Sequence, residues 1–129
     1  MTEKHALVID DNEKNIRILS KLLEDQSVSS TGVDNSTLLD SVLDTLERVD
    51  VVFLDLEMPS LDGFQILDKL KADPYFQSVP VVAYTVHVSE IMVAHEHGFD
   101  GFIAKPLDSE RFPDQLHRIF NGQGVWETK

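Results

Sequence analysis

Four short apolar runs in this chain of 129 residues each end on a side chain able to do chemistry. Ala6-Leu-Val-Ile9 runs into Asp10-Asp11, and Val51-Val-Phe-Leu54 into Asp55. Val79-Pro-Val-Val-Ala-Tyr84 runs into Thr85, and Gly101-Phe-Ile-Ala104 into Lys105. Singly, each polar residue would be an ordinary solvated loop residue. Together they are three carboxylates, a hydroxyl and an ammonium. Clustered carboxylates repel and raise at least one pKa. A divalent cation removes that repulsion, and hard oxygen donors suit Mg2+. A carboxylate can also act as a covalent nucleophile. Phosphoryl transfer needs positive charge on the equatorial oxygens and a hydroxyl or amide donor. Mg2+ and Lys105 would supply the first and Thr85 the second, with Asp55 as phosphoryl acceptor.

The elements that must position these groups can be read from apolar spacing. An unalternated run such as Val51–Leu54 reads as a strand covered on both faces. Burying an ionised carboxylate beside it is costly, so Asp55 belongs at the strand's C-terminal edge. Pro59 and Asp62-Gly63 then force a turn. Asn12 is placed to cap a first helix carrying Ile16, Leu19, Leu22 and Leu23, with Asn15 where a capping box has Glu. Residues 28–33 are β-prone but polar, which suits an edge strand. Leu38, Leu39, Val42, Leu43 and Leu46 form a second helical stripe. Phe64, Leu67 and Leu70 mark a third helix that stops before Pro74. Val88, Ile91 and Met92 belong to a short fourth helix closed by Gly98. Phe112, Leu116, Ile119 and Phe120 mark a fifth, with Pro113 early in it and Asp108-Ser109-Glu110 serving its start. Gly122-Gln-Gly124 breaks it, leaving a tail with Trp126. Strand and helix alternate five times, which predicts a parallel sheet with helices on both faces. In such a sheet the strand ends share one edge, where ligands bind.

Bulk properties exclude several classes. Lys and Arg number 11 against 23 Asp and Glu, a net charge of −12. That argues against a nucleic-acid or anionic-membrane surface and suits a binder of cations or basic partners. The chain lacks cysteine, which excludes disulfides and a Cys-based zinc site and fits a cytoplasmic location. No apolar run approaches bilayer length, and Met1–His5 holds no signal-peptide core.

The set Asp10-Asp11, Asp55-Leu-Glu-Met-Pro-Ser-Leu-Asp-Gly63, Thr85 and Lys105-Pro106 closely resembles the receiver domain of two-component response regulators. The resemblance covers roughly residues 4–121 in order, leaving a short tail over 122–129 of a single receiver domain. It implies a doubly wound, flavodoxin-like α/β fold: five parallel strands in order 2-1-3-4-5 with five helices. It also implies residue roles. Asp55 resembles the phosphorylated aspartate, Asp11 a direct Mg2+ ligand, Asp10 a ligand through water, and the Glu57 main-chain carbonyl a further ligand. Thr85 resembles the switch hydroxyl, Phe102 the aromatic rotamer switch, and Lys105 the phosphate-pairing lysine. The Lys105–Pro106 bond is expected to be cis.

The resemblance implies a phosphorylation switch that takes its phosphoryl group from a histidine on a sensor kinase or phosphotransfer protein. It catalyses its own Mg2+-dependent phosphorylation and dephosphorylation rather than turning over a separate substrate. Phosphate charge draws Thr85 inward, Phe102 turns in after it, and the face of helix four, strand five and helix five changes. That face would bind a downstream protein, relay phosphate or form a homodimer. No output domain is expected after residue 121, so output would be expected to pass through such contacts.

Some residues depart from the family pattern. Val86 stands where a small residue is usual. With Glu57 and His87 it flanks the route of an attacking water, either slowing phosphoryl turnover or merely filling the loop rim. His95 and His97, at i and i+2 of a helix, do not share a face. With His5, His87 and His117 they read as surface residues rather than a metal site. Three rivals remain: an aspartyl phosphatase or phosphotransferase, a flavin-binding module of the same topology, and a receiver regulated without phosphate. The first lacks room for a substrate-selecting cap. The second needs a phosphate loop where Asp10-Asp11-Asn12 is hostile to phosphate. The acidic cluster speaks against the third.

Overall fold

The computed structural model describes residues 4–35, 39–46, 48–58 and 61–127, with only the backbone of Glu57 and Leu61. In chain order come β1 (Lys4–Ile9), α1 (Glu13–Glu24), β2 (Val28–Val33), α2 (Leu39–Thr45), β3 (Val51–Leu54), β4 (Glu57–Met58) and β5 (Leu61–Asp62). Then come α3 (Gly63–Lys71), a 3-10 turn (Pro74–Ser78), β6 (Val81–Thr85), a second 3-10 turn (Val88–Glu90), α4 (Ile91–His97), β7 (Gly101–Ala104), α5 (Phe112–Phe120) and β8 (Val125–Glu127). Leu38, Pro59, and residues 1–3 and 128–129 of the expected termini lie outside the described residues.

The main sheet runs β2-β1-β3-β6-β7-β8, with every neighbouring pair parallel. Its first five strands follow the expected 2-1-3-4-5 order. The sixth is an addition to the expected five strands, formed by the short tail. After the bend at residues 122–124, Val125–Glu127 pairs with Gly101–Ile103 of β7. The pairing covers donors and acceptors that β7 would otherwise leave open at the sheet's edge. The expected face of helix four, strand five and helix five is therefore built from α4, β8 and α5. A two-stranded antiparallel ribbon, β4 with β5, forms the turn after Asp55.

Alternation along each strand splits the core. In β3, Val51 and Phe53 face α1 and α5, joining Leu19, Leu23, Phe112, Leu116 and Ile119. Val52 and Leu54 face the other layer, with Leu39, Ile66, Leu67, Leu70 and Ala94. Each fully buried Leu or Phe stabilises by roughly 1.5–3 kcal/mol over exposure. Asn12 caps α1 by accepting from the Lys14 and Asn15 N–H groups, and Asp62 caps α3 through Phe64 N–H. Gly98, at φ 115°, takes the left-handed conformation that ends α4. β2 is the polar edge strand, and the His5 ring nitrogens lie 2.7 Å from Ser29 Oγ and Thr31 Oγ1. Among the described residues, no helix is long and apolar enough to cross a membrane.

Candidate functional site

Strand order reverses between β1 and β3, and two of the singled-out carboxylates sit there. Asp10 follows β1 and Asp55 follows β3, and the Asp55 N–H donates to the Ile9 carbonyl at 2.9 Å. Side-chain parity carries both toward the α1/α5 layer, since Ala6, Val8, Val51 and Phe53 face that way. Asp11, one residue on, is exposed at the rim. One oxygen each from Asp10, Asp11 and Asp55 lies within 4.8 Å of the others. Gly63 keeps this arrangement tight: a Cβ there would stand 2.9 Å from the Asp55 carbonyl oxygen and 3.0 Å from Leu56 Cα.

Lys105 closes the cluster from β7. Its N–H donates to the Thr85 carbonyl at 2.9 Å, anchoring the residue beside β6. Its Nζ lies 2.9 Å from Asp10 Oδ2 and 3.4 Å from Asp55 Oδ2. The Lys105–Pro106 bond is cis. Asp10 also accepts from Asn12 N–H at Oδ1 (2.9 Å) and from the Tyr84 hydroxyl at Oδ2 (2.7 Å). Burial alone would push the Asp10 carboxyl up. The donors Asn12, Lys105 and Tyr84 outweigh it and hold Asp10 below the usual carboxylate range. Asp11 shifts the other way, raised by burial and then by the Asp10 charge. Burial and the Asp10 charge also raise Tyr84, so its hydroxyl keeps its proton and remains a donor.

Thr85 is buried, and its Oγ1 accepts from His87 N–H at 3.2 Å, leaving the hydroxyl proton free to donate elsewhere. Val86, 61% exposed, and His87, also exposed, occupy the surface bend after it. Glu57 begins β4 two residues past Asp55. Phe102 is already fully buried against the α2/α3/α4 layer, opposite Ala83 on β6 and Trp126 on β8. Of the histidines, His97 meets Asp68 at 3.0 Å and His95 packs on Trp126, ring centroids 4.5 Å apart. A cleft of about 590 Å³ lies elsewhere, lined by Lys4, Asp50, Pro80, Phe99 and Gly122 among others.

Tyr84 is the site residue that sequence reasoning passed over. Within an apolar run it reads as core. The signal was its hydroxyl, because a buried tyrosine O–H needs a partner.

Three carboxylate oxygens around a lysine offer an all-oxygen donor set suited to a hard divalent cation. Residues 6–117 match the response regulator receiver domain family. The chain is 30% identical over 130 residues to the signal transduction histidine-protein kinase BarA of Escherichia coli, spanning 93% of this chain but 13% of BarA. It is 37% identical over 105 residues to the response regulator PleD of Caulobacter vibrioides, covering 79% of this chain and 23% of PleD. The chain thus spans a small part of the length of these relatives. Among solved structures, the chemotaxis response regulator CheY4 of Vibrio cholerae superposes with a TM-score of 0.81 at 21% identity, covering 92% of this chain and 99% of that one. A receiver domain protein from Clostridium thermocellum gives 0.78 at 25% identity, covering 92% and 94%. With acidic cluster, lysine and sheet order in agreement, the chain belongs to the response regulator receiver domain family of two-component signalling.

Proposed function

We propose that these residues form a phosphorylation switch in which Asp55 accepts a phosphoryl group from a histidine on a sensor kinase or phosphotransfer protein. The observation that carries this reading is the Lys105 ammonium 3.4 Å from Asp55 Oδ2, inside a three-carboxylate cluster. The kinase and response regulator among the relatives support a histidine donor. Asp11 and Asp55 would hold Mg2+ directly, with Asp10 reached through water and the Glu57 carbonyl as a further ligand. Bound there, the ion supplies positive charge for the phosphoryl oxygens.

An Asp55 carboxylate oxygen attacks phosphorus, the P–N bond to the donor imidazole breaks, and its electron pair leaves with the imidazole. Lys105 shifts from Asp10 toward the new phosphoryl oxygens, and Thr85 donates its free hydroxyl proton to one of them. Hydrolysis reverses the state: water attacks phosphorus, the Asp55–phosphorus bond breaks, and inorganic phosphate departs. Val86, with Glu57 and His87, slows that attack at the rim.

Phe102 is already buried, so movement of Thr85 would be read as a change in Phe102 packing rather than an inward turn, at the α4, β8 and α5 face. A downstream protein, a relay partner or a second copy would bind there. A cytoplasmic setting suits this chemistry, and turnover is limited to the chain's own aspartyl phosphate.

Incubation with acetyl phosphate and Mg2+, followed by intact mass, tests the reading. One phosphoryl adduct on wild type, absent from Asp55→Asn and absent without Mg2+, is the expected result. An adduct that persists in Asp55→Asn would refute it.

A further inference from the structure

Tyr84 lies on the α1/α5 face of β6, 74 residues from Asp10 in sequence, yet its hydroxyl donates to Asp10 Oδ2 at 2.7 Å. The same oxygen takes the Lys105 ammonium at 2.9 Å, and that ammonium stands 4.4 Å from the centre of the Tyr84 ring. The other Asp10 oxygen takes Asn12 N–H at 2.9 Å. Asp10 is fully buried and met by three donors, whereas Asp11 is exposed and unlike it in environment.

These contacts act on one another. The Tyr84 hydroxyl and the Lys105 ammonium together fill both lone-pair sites of Asp10 Oδ2, so that oxygen has none left for a cation. Lys105 is held on two sides, by a carboxylate and by the face of an aromatic ring. When Lys105 turns to a phosphoryl group, Asp10 loses one donor. A buried carboxylate left without partners would resist that move. The Tyr84 hydroxyl stays behind to satisfy it.

We propose that Tyr84 is a positioning residue that keeps Asp10 out of direct metal coordination and parks Lys105 beside Asp55 until the phosphoryl group arrives. The inference rests on the reading of the acidic cluster as a Mg2+ site. It supplies a reason, in this chain's own residues, for Asp10 to be reached only through water while Asp11 and Asp55 hold the cation directly.

The test titrates Mg2+ into the unphosphorylated full chain by calorimetry, for wild type, Tyr84→Phe, and protein carrying 3-fluorotyrosine in a Tyr75→Phe background that leaves Tyr84 as the sole tyrosine. Loss of the hydroxyl frees Asp10 Oδ2, so Tyr84→Phe binds Mg2+ roughly 3- to 10-fold more tightly, as expected from removing one charge-assisted hydrogen bond. The fluorinated ring donates more strongly, so that protein binds Mg2+ more weakly than its unlabelled Tyr75→Phe parent. A merely structural role would not give opposite signs. Affinities within twofold for both, or weaker binding in both, overturn the inference. Where Tyr84→Phe fails to fold, the fluorotyrosine arm decides alone. A wild-type chain that takes up no Mg2+ ends the metal reading itself, before either variant is measured.

Discussion

The Lys105 ammonium stands 2.9 Å from Asp10 Oδ2, closer than its 3.4 Å approach to Asp55 Oδ2. Its first duty in this arrangement is therefore to neutralise a fully buried carboxylate, and only its second is to face Asp55. Lys105→Met keeps much of the volume and removes the charge. Leaving a buried charge without its partner costs about 3 kcal/mol. Denaturant melts in metal-free buffer should show a loss of that order. Added Mg2+ should then stabilise the variant more than wild type, because the cation replaces missing positive charge. A variant as stable as wild type without metal would show that Asp10 does not depend on Lys105.

The site was largely legible in the sequence because a parallel sheet sends every strand's C-terminal end to one edge. Asp10, Asp55 and Lys105 each ended an apolar run, so their meeting at one edge followed from topology. Tyr84 was hidden by the same logic, since an aromatic in a buried run is ordinary core, and only its reach across β3 to β1 reveals its partner. Val125–Glu127 was hidden for another reason. Three residues beyond a glycine-flanked bend carry too little periodicity to declare a strand, and what makes them one is the edge of β7 awaiting a partner. Phe102 was legible as a switch candidate, but its inward, fully buried position depends on the packing around it.

That added strand is pinned by charge. Glu127 accepts from Arg111 and Arg118 Nη2 at 2.5 Å each and from Gln115 Nε2 at 2.8 Å. Burial alone would raise the Glu127 carboxyl, but the hydrogen bonds from Arg118 and Gln115 and the arginine charges hold it below its usual range. A depressed folded-state pKa means the proton binds the unfolded chain more readily. The stabilisation is therefore complete above the ordinary glutamate value and disappears as pH falls through the depressed one. Glu127→Gln should cost about 1 kcal/mol at neutral pH, the upper end for ion pairs whose arginines are screened by solvent. The gap between wild type and variant should close on the acid side. Melts from pH 7 downward check this, and a gap independent of pH would contradict it.

Val86 is 61% exposed on the bend that follows Thr85, where a branched side chain can shade the approach to a phosphorylated Asp55. Val86→Ala opens that approach without touching the buried groups. The aspartyl phosphate of the variant should decay roughly 2- to 5-fold faster, a barrier change of under about 1 kcal/mol. The decay of protein-bound phosphate after removal of donor gives the rate. An unchanged lifetime would remove the steric role and leave Val86 as rim filling.

Trp126 lies opposite Phe102 in the β7–β8 register and packs its ring on His95 of α4, so a single side chain joins the added strand to the helix of the expected output face. It is also the one tryptophan of the chain. Cutting it back to alanine removes half-buried aromatic surface, a loss of about 2 kcal/mol by its burial. Because β8 is short and sits at the margin, that loss should appear as local opening rather than global unfolding. In Trp126→Ala, amides of Gly101–Ala104 should exchange with solvent faster, while those of β1 and β3 keep wild-type protection. Uniform acceleration across all strands would mean that β8 is an integral part of the core rather than a separable edge.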